Sequence, residues 1–181
     1  MLQLAAGRKA LKILLKVVGA IVIVLFVALL VLRFTGLDPN DPKAAKDRRA
    51  GLWLKGNLVT TPVTDWSFTD KYETIEIETN TWFLIPHSVR IDCATYQGRL
   101  YLNSRVPKGV APYPGGRMWN RDVARDHHVR LKIGNNLYPE VLLFVTDPAE
   151  KEGAFKAMQE KYPHFDLTPG GSINVFRVTN G

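Results

Sequence analysis

Beyond residue 51 the order of apolar and polar positions has a period of two. ETIEIET places Ile75 and Ile77 on one face, and SVRIDCATY places Val89, Ile91, Cys93 and Thr95 opposite Arg90, Asp92, Ala94 and Tyr96, which is the alternation of half-buried strands. Gln97-Gly98 turns the second of these into RLYLNS, so a hairpin is expected over residues 88–104. VRLKI alternates Val129, Leu131 and Ile133 with Arg130 and Lys132, and Gly134-Asn135-Asn136 leads into LYPEVLLFV. Pro139 in that partner strand calls for an edge or a bulge, because proline cannot donate to a ladder. INVFRV supplies a sixth strand, and LWLKGNLV and the Trp66–Phe68 region offer one or two more.

Two segments break the alternation. DPAE at 147–150 has an aspartate at the N-cap position, a proline after it and a glutamate three residues on, the signature of a helix start. The helix that follows carries Phe155, Met158 and Tyr162 on one stripe and stops at Pro163; it is expected to cover one end of the sheet as a lid. A shorter connecting helix is expected over about Met118–Arg125. Strands joined in hairpins, with no repeat and no disulfide to protect their edges, favour closure into a small antiparallel barrel.

The amino-terminal part differs in kind. Val17 to Leu32 runs sixteen residues without a charge, and twenty counted back through Ile13 with Lys16 as the single interruption. At 1.5 Å per residue this spans about 24–30 Å, enough for a hydrocarbon core if Lys16 reaches back to the headgroups. Arg8, Lys9, Lys12 and Lys16 precede the apolar run with no acid among them, which places the amino terminus in the cytoplasm and the rest outside a cytoplasmic membrane, crossed once. A cleaved signal peptide is the rival reading, but the run is long for one and Leu30-Val31-Leu32-Arg33-Phe34 offers no small-residue cleavage site. Residues 1–35 are thus expected to be an anchor, 36–50 a charged, proline-containing linker, and 51–181 the folded domain.

Charge changes the picture only once it is divided. Of 24 Lys and Arg, five lie in residues 1–33, which leaves nineteen against seventeen acids and implies no nucleic-acid partner. Within the domain, nine Lys and Arg face three acids between Arg90 and Lys132. Cys93 is the single cysteine, so neither an internal disulfide nor a cysteine metal site can form, and its place in an alternating segment suits a small buried side chain.

IETNTWFLIPHSVRIDCATYQGRLYLNSR followed by MWNRDVARDHHVRLKIGNNLYPEVLLFVTDPAE resembles the pyridoxamine 5′-phosphate oxidase-like split β-barrels, including their deazaflavin-dependent nitroreductase branch. The order and spacing of elements over about residues 72–162 carry the resemblance. It implies a mainly β, six-stranded split barrel with a short connecting helix and a lid helix, here preceded by one transmembrane helix. It also implies a homodimer with a flavin in a groove between subunits, its phosphate held at strand ends. Carried over by position, the cofactor-binding candidates are His87 and Ser88, then Asn103, Ser104 and Arg105, then Trp119, Asn120 and Arg121. The expected cofactor is FMN, with deazaflavin or haem as alternatives, in an oxidoreductase of unassigned substrate; the other reading is a non-enzymatic module whose groove takes haem, a lipid or a protein. One departure is the Pro/Gly-rich stretch VPKGVAPYPGGR at 106–117, which either covers the groove or replaces it.

The residues themselves leave alternatives open. Asn103-Ser104-Arg105 offers amide, hydroxyl and guanidinium donors together, as a phosphate needs, but a cluster of cations is also an ordinary solvated rim. Gly115-Gly116 fits close approach to an anion or a simple turn. Trp119 can stack on a ring or anchor its helix, and Asn120 can bind or cap. Asp122 and Asp126, spaced i, i+4, could pair with Arg121, Arg125 or Arg130. His127 and His128 are adjacent and point apart in extended chain, with His87 and His164 distant, so no metal site is expected. No nucleophile elbow, Walker loop or paired carboxylates assign a catalytic residue.

Overall fold

The computed structural model describes residues 2–40, 49–163, 165, 167 and 169–181, the first nine of these by backbone alone. The middle of the expected linker, 41–48, and His164 lie outside the described residues. The chain divides into two units, Met1–Gly36 and Leu37–Gly181.

The first unit is one helix, α1, Leu2–Thr35. Its Leu11–Thr35 portion, 25 residues that include an 18-residue stretch of mean hydropathy 3.1, is long and apolar enough to cross a membrane, a test that a signal sequence also passes. Gly36, at φ +73°, ends it and donates its N–H to Leu32 O at 2.8 Å.

The second unit is mainly β, with the two helices the sequence predicts. Its elements are β1 (Asn57–Leu58), a 3₁₀ turn (Ser67–Lys71), β2 (Ile75–Thr79), β3 (His87–Ile91), β4 (Cys93–Tyr96), β5 (Arg99–Val106), α2 (Met118–Arg125), β6 (His128–Ile133), β7 (Asn136–Phe144), α3 (Pro148–Lys161) and β8 (Ser172–Asn180). The strands form one sheet in the order β3-β2-β6-β7-β8-β5-β4, antiparallel throughout, with β1 added in parallel to the start of β7. Since β3 and β4 are separated only by Asp92 yet stand at opposite ends of that order, the sheet must curl until its two end strands adjoin. This is the split barrel. The six long predicted strands are all present, the second of them divided at Asp92. The Trp66–Phe68 region is no strand but the start of the 3₁₀ turn, with buried Trp66 packed on Tyr138.

The divided strand corrects the expected 88–104 hairpin. Only Cys93–Tyr96 pairs with β5, while His87–Ile91 pairs with β2, from Thr79↔His87 to Ile75↔Ile91. Pro139 sits where β7 changes partners on one edge, from β1 at Asn136–Leu137 to β8 at Glu140–Phe144. Val59 N–H bonds Leu137 O on that side and Leu142 N–H bonds His127 O on the other, so the strand's alternation turns the missing N–H of Pro139 into the gap.

The interior is filled by Ile75, Ile77, Leu100, Leu102, Leu131, Ile133, Leu142 and Phe176, with Trp119 and Val123 entering from α2. Each such large apolar side chain contributes about 1.5–3 kcal/mol on burial. The second core lies outside the barrel, where α3 sets Ala154 and Met158 against Ala94, Tyr101 and Val175. Met158 is fully buried whereas Phe155 and Tyr162 flank it half-buried, so the stripe is narrower than predicted. Asp147 caps α3 through Glu150 N–H at 2.7 Å; the Glu150 carboxylate accepts from Tyr101 and Arg177, neighbours across β5 and β8.

A strap covers the free edge of β3. Leu37 and Leu52 exchange backbone bonds of 2.8 and 2.7 Å, and Gly51 and Ser88 exchange bonds of 2.8 and 2.9 Å. Gly51 passes so near that a Cβ would lie 2.3 Å from Leu37 O and 2.4 Å from Ser88 Oγ, which only glycine avoids. Behind the strap, the acids of β2 meet the bases of its neighbours in register. Glu76 bonds Arg90 at 2.9 Å and lies 3.7 Å from Lys132, while Glu78 bonds Arg130 and the N–H of Leu54. Three of the nine cations between Arg90 and Lys132 are therefore paired with acids inside the fold.

Candidate functional site

The split creates a cavity. Cys93 pairs with Leu102, but at Asp92 the chain leaves β5 for β2, so Asn103–Val106 have lost β4 on that side. The side chain of Asn103 reaches across the opening, its Nδ2 3.4 Å from Asp92 O. What opens beyond is a cavity of about 400 Å³ lined by β3, the end of β5, the start of α2 and the strap. That volume is in the range of small-molecule sites.

His87, Asn103, Ser104, Arg105 and Trp119 line this cavity; Ser88, Asn120 and Arg121 do not. The wall is apolar at Val89, Ile91, Met118 and Trp119, and the cations at it are Arg49, Arg90, Arg105 and Arg117. Arg90 is committed to Glu76. Arg105 is half-exposed, 3.6 Å from Asp92 and with its guanidinium carbon 4.5 Å from the centre of the Phe165 ring. Arg117, at the N-cap of α2, is exposed. Arg49 and Arg117 are not singled out by the sequence: one lies in the strap, the other precedes the helix, and neither position bears a motif.

Ser88 has a structural place instead. It is wholly buried beneath Gly51. Asn120, also wholly buried, is neither cap nor cavity residue; its Nδ2 donates to Ser104 Oγ at 3.0 Å and to Gly115 O at 2.9 Å, tying α2 to β5 and to the 106–117 loop. Arg121 lies on the exposed face of α2. Trp119 packs against Phe176 with ring centres 4.9 Å apart, so the core-anchor reading describes most of its ring.

The 106–117 loop closes the barrel interior more than it covers the groove. Tyr113, followed by a cis peptide to Pro114, stacks on Phe144 at 4.2 Å and meets the edge of Phe176. Gly115 is needed by the turn, because a Cβ there would stand 2.3 Å from Ala111 O. Nor do Asp122 and Asp126 pair with the expected arginines: Asp122 accepts from Thr79 at 3.1 Å, and Asp126 takes Asn80 at 2.8 Å and His128 at 2.9 Å. Arg130 is spent on Glu78 and Arg125 on Asn80 O.

Protonation at the cavity follows from burial. His87 is held below the usual imidazole range by burial, opposed by the charge of Asp122, so it is neutral at neutral pH. Its Nδ1 is buried with no partner among the described residues. Ser104 Oγ accepts from Asn120, which leaves its own proton to donate. Among the described residues no three His, Cys, Asp or Glu side chains group as a metal site.

No protein-family model and no curated protein matches the sequence. Solved structures do. A provisionally named pyridoxamine 5′-phosphate oxidase from Listeria innocua is 14% identical, covering 61% of this chain and 86% of its own, with a TM-score of 0.43. A NimC/NimA family protein from Clostridium acetobutylicum is 14% identical over 61% of this chain and 76% of its own, with a TM-score of 0.46. An F420-H2 dependent reductase is 19% identical over 59% of this chain and 94% of its own, with a TM-score of 0.43. The names these neighbours carry are those of the split-barrel proteins that the order of strands in this sequence resembles.

Proposed function

We propose that the chain is a membrane-anchored split-barrel protein that binds a phosphorylated flavin-type cofactor, FMN first, in the cavity between β3 and β5, and that it is an oxidoreductase working as a homodimer. The observation that carries this is the cavity itself, which pairs an apolar wall at Ile91, Met118 and Trp119 with cations at Arg105 and Arg117. The donor set suits a phosphate: two guanidiniums able to bond two oxygens each, the free Ser104 proton and the unpartnered His87 nitrogen. The wall suits an aromatic ring system. When bound, a flavin supplies hydride transfer, and the chain's residues hold and orient it and keep water from one of its faces. A deazaflavin would use the same donors. In this reading α1 crosses a cytoplasmic membrane with its amino terminus inside and the barrel outside.

A second reading is a non-enzymatic module that takes haem, a lipid or a protein partner in the same cavity. It is favoured by one observation: Arg105 already has Asp92 and Phe165, and the Trp119 ring already has Phe176. The full chain purified in mild detergent separates the two. A flavin absorption band, either as isolated or after FMN is added and excess removed, supports the first; a haem band, or no uptake of flavin, refutes it.

A further inference from the structure

The connection between β2 and β3 holds three large apolar side chains in solvent. Trp82 is 79% exposed, Phe83 46% and Leu84 91%, the most conspicuous apolar exposure in the second unit. Such a cluster at a loop tip marks a contact surface, since single exposed apolar residues are common but an exposed Trp-Phe-Leu run is not.

The tip is built. Thr81 Oγ1 donates to Ile85 O at 2.5 Å and Leu84 N–H to Thr81 O at 3.3 Å, closing a turn that turns the three side chains outward. Trp82 and Phe83 pack edge to face at 5.4 Å. Leu84 adopts φ +65°, a left-handed conformation that a leucine takes only at a cost and that is retained where the surroundings demand it. The base of the loop is clamped to α2: Arg125 donates to Asn80 O and Asn80 Nδ2 to Asp126 at 2.8 Å. Arg121, one turn before Arg125, lies on the same side of α2 and is exposed. The aromatic and aliphatic tip thus stands on a base held by Arg125 and Asp126, with Arg121 exposed on the same side of α2.

We infer that this tip inserts into the interfacial region of a lipid bilayer, with Trp82 at headgroup level, Leu84 and Phe83 toward the acyl chains, and Arg121 and Arg125 facing anionic headgroups. Tryptophan is enriched at that depth because one edge of the ring is polar and the rest is not, and arginine beside it gains from the negative surface. The inference rests on reading α1 as a membrane span: a domain that begins at Leu37, one residue after a unit ending at Gly36, is kept at the bilayer by connection alone.

The span contains no tryptophan. The four in the chain are Trp53, Trp66, Trp82 and Trp119, of which Trp66 and Trp119 are buried and Trp53 half-buried. Tryptophan quenching in vesicles therefore reports on the tip. The full chain is reconstituted into phosphatidylcholine–phosphatidylglycerol vesicles whose acyl chains carry bromine near the headgroup, and compared with Trp82→Phe, a change at an exposed site that leaves the core untouched. The expected result is strong bromolipid quenching in the wild type and a several-fold smaller effect in the variant. Retention of the chain in the vesicles after alkaline carbonate, with quenching absent or unchanged by Trp82→Phe, overturns this inference and leaves the span standing. Extraction by carbonate overturns both.

Discussion

The carboxamide of Asn103 bridges the mouth of the split, donating to the carbonyl of Asp92 at 3.4 Å, the residue where one continuous run of alternating sequence changes its partner strand. Asn103 also lies 3.5 Å from the sulfur of buried Met158, so it ties the mouth of the split to the core beneath α3. Asn103→Ala is expected to cost about 1 kcal/mol, the usual net value of one partly buried hydrogen bond, and to loosen any ligand held at the split. Denaturant unfolding with and without FMN measures the two effects separately.

Three arginines give a contrast in binding. Arg105→Ala and Arg117→Ala each remove a cation from the cavity and are expected to weaken binding of a phosphorylated flavin by about 1.5–3 kcal/mol, roughly ten- to a hundredfold. Arg121→Ala, on the exposed face of α2, leaves that affinity unchanged. Fluorescence titration with FMN and with riboflavin, which lacks the phosphate, shows whether the first two act on the phosphate: the losses should vanish for riboflavin.

The seam is sealed by a hydroxyl. Tyr162 Oη accepts from Cys93 N–H at 3.0 Å and lies 2.9 Å from Cys93 O and 2.5 Å from Glu73 O, replacing ladder bonds that the split removes. Burial raises its pKa, so it remains a donor throughout the working pH range. Tyr162→Phe keeps the ring but leaves the Cys93 amide unpaired; a loss of about 1–3 kcal/mol is expected, read as a lowered Tm. Increased exchange of the Cys93 amide with solvent would locate the effect.

Stability should fall with rising pH through one group. Glu140, 6% exposed, lies on the same face of β7 as Tyr138 and Leu142, with Oε2 unpartnered among the described residues, and burial pushes its pKa up to about 7. The folded state then holds a proton that the unfolded state releases at a lower pH. Its contribution is complete below the ordinary carboxylate range and is lost as pH rises toward about 7 and beyond. Glu140→Gln, neutral at every pH, should gain stability relative to the wild type between about pH 5 and pH 8, by on the order of 2 kcal/mol. A constant difference across that window would show that Glu140 does not carry the effect.

The close approach of the strap makes a sharper stability test. Gly51→Ala drives a methyl into Leu37 O and Ser88 Oγ, and a cost above about 2 kcal/mol is expected because backbone must move. Ser88→Ala, which removes a hydroxyl with no partner among the described residues, should be nearly neutral.

How much of this could be read from the chain follows from where side-chain burial leaves a pattern. The strands were legible because Ile75, Ile77, Leu131 and Ile133 line one side and charged residues the other. The charged side was harder to interpret, since Glu76 and Glu78 alternate as an exposed face would, yet are buried under the strap. That strap is invisible in sequence: it holds by backbone bonds at Leu37, Leu52, Gly51 and Ser88, which impose no periodicity. Asp92 is equally silent, because the residues on either side alternate in the same phase although they belong to opposite ends of the sheet. At α2 the three candidates part for a geometric reason. Trp119, Asn120 and Arg121 are adjacent in sequence, but a helix turns about 100° per residue, so the first meets the cavity, the second the β5 strand and the third the solvent.

The most direct test fills the cavity without touching its charges. Ala50 is an exposed residue of its lining, and Ala50→Trp places a bulky side chain in the opening. FMN fluorescence is titrated against the detergent-purified full chain and against this variant, with Tm recorded for both. Saturable quenching by the wild type and none by Ala50→Trp, at an unchanged Tm, is the expected result; equal binding by the two, or no binding by the wild type, would rule out this cavity as the flavin site.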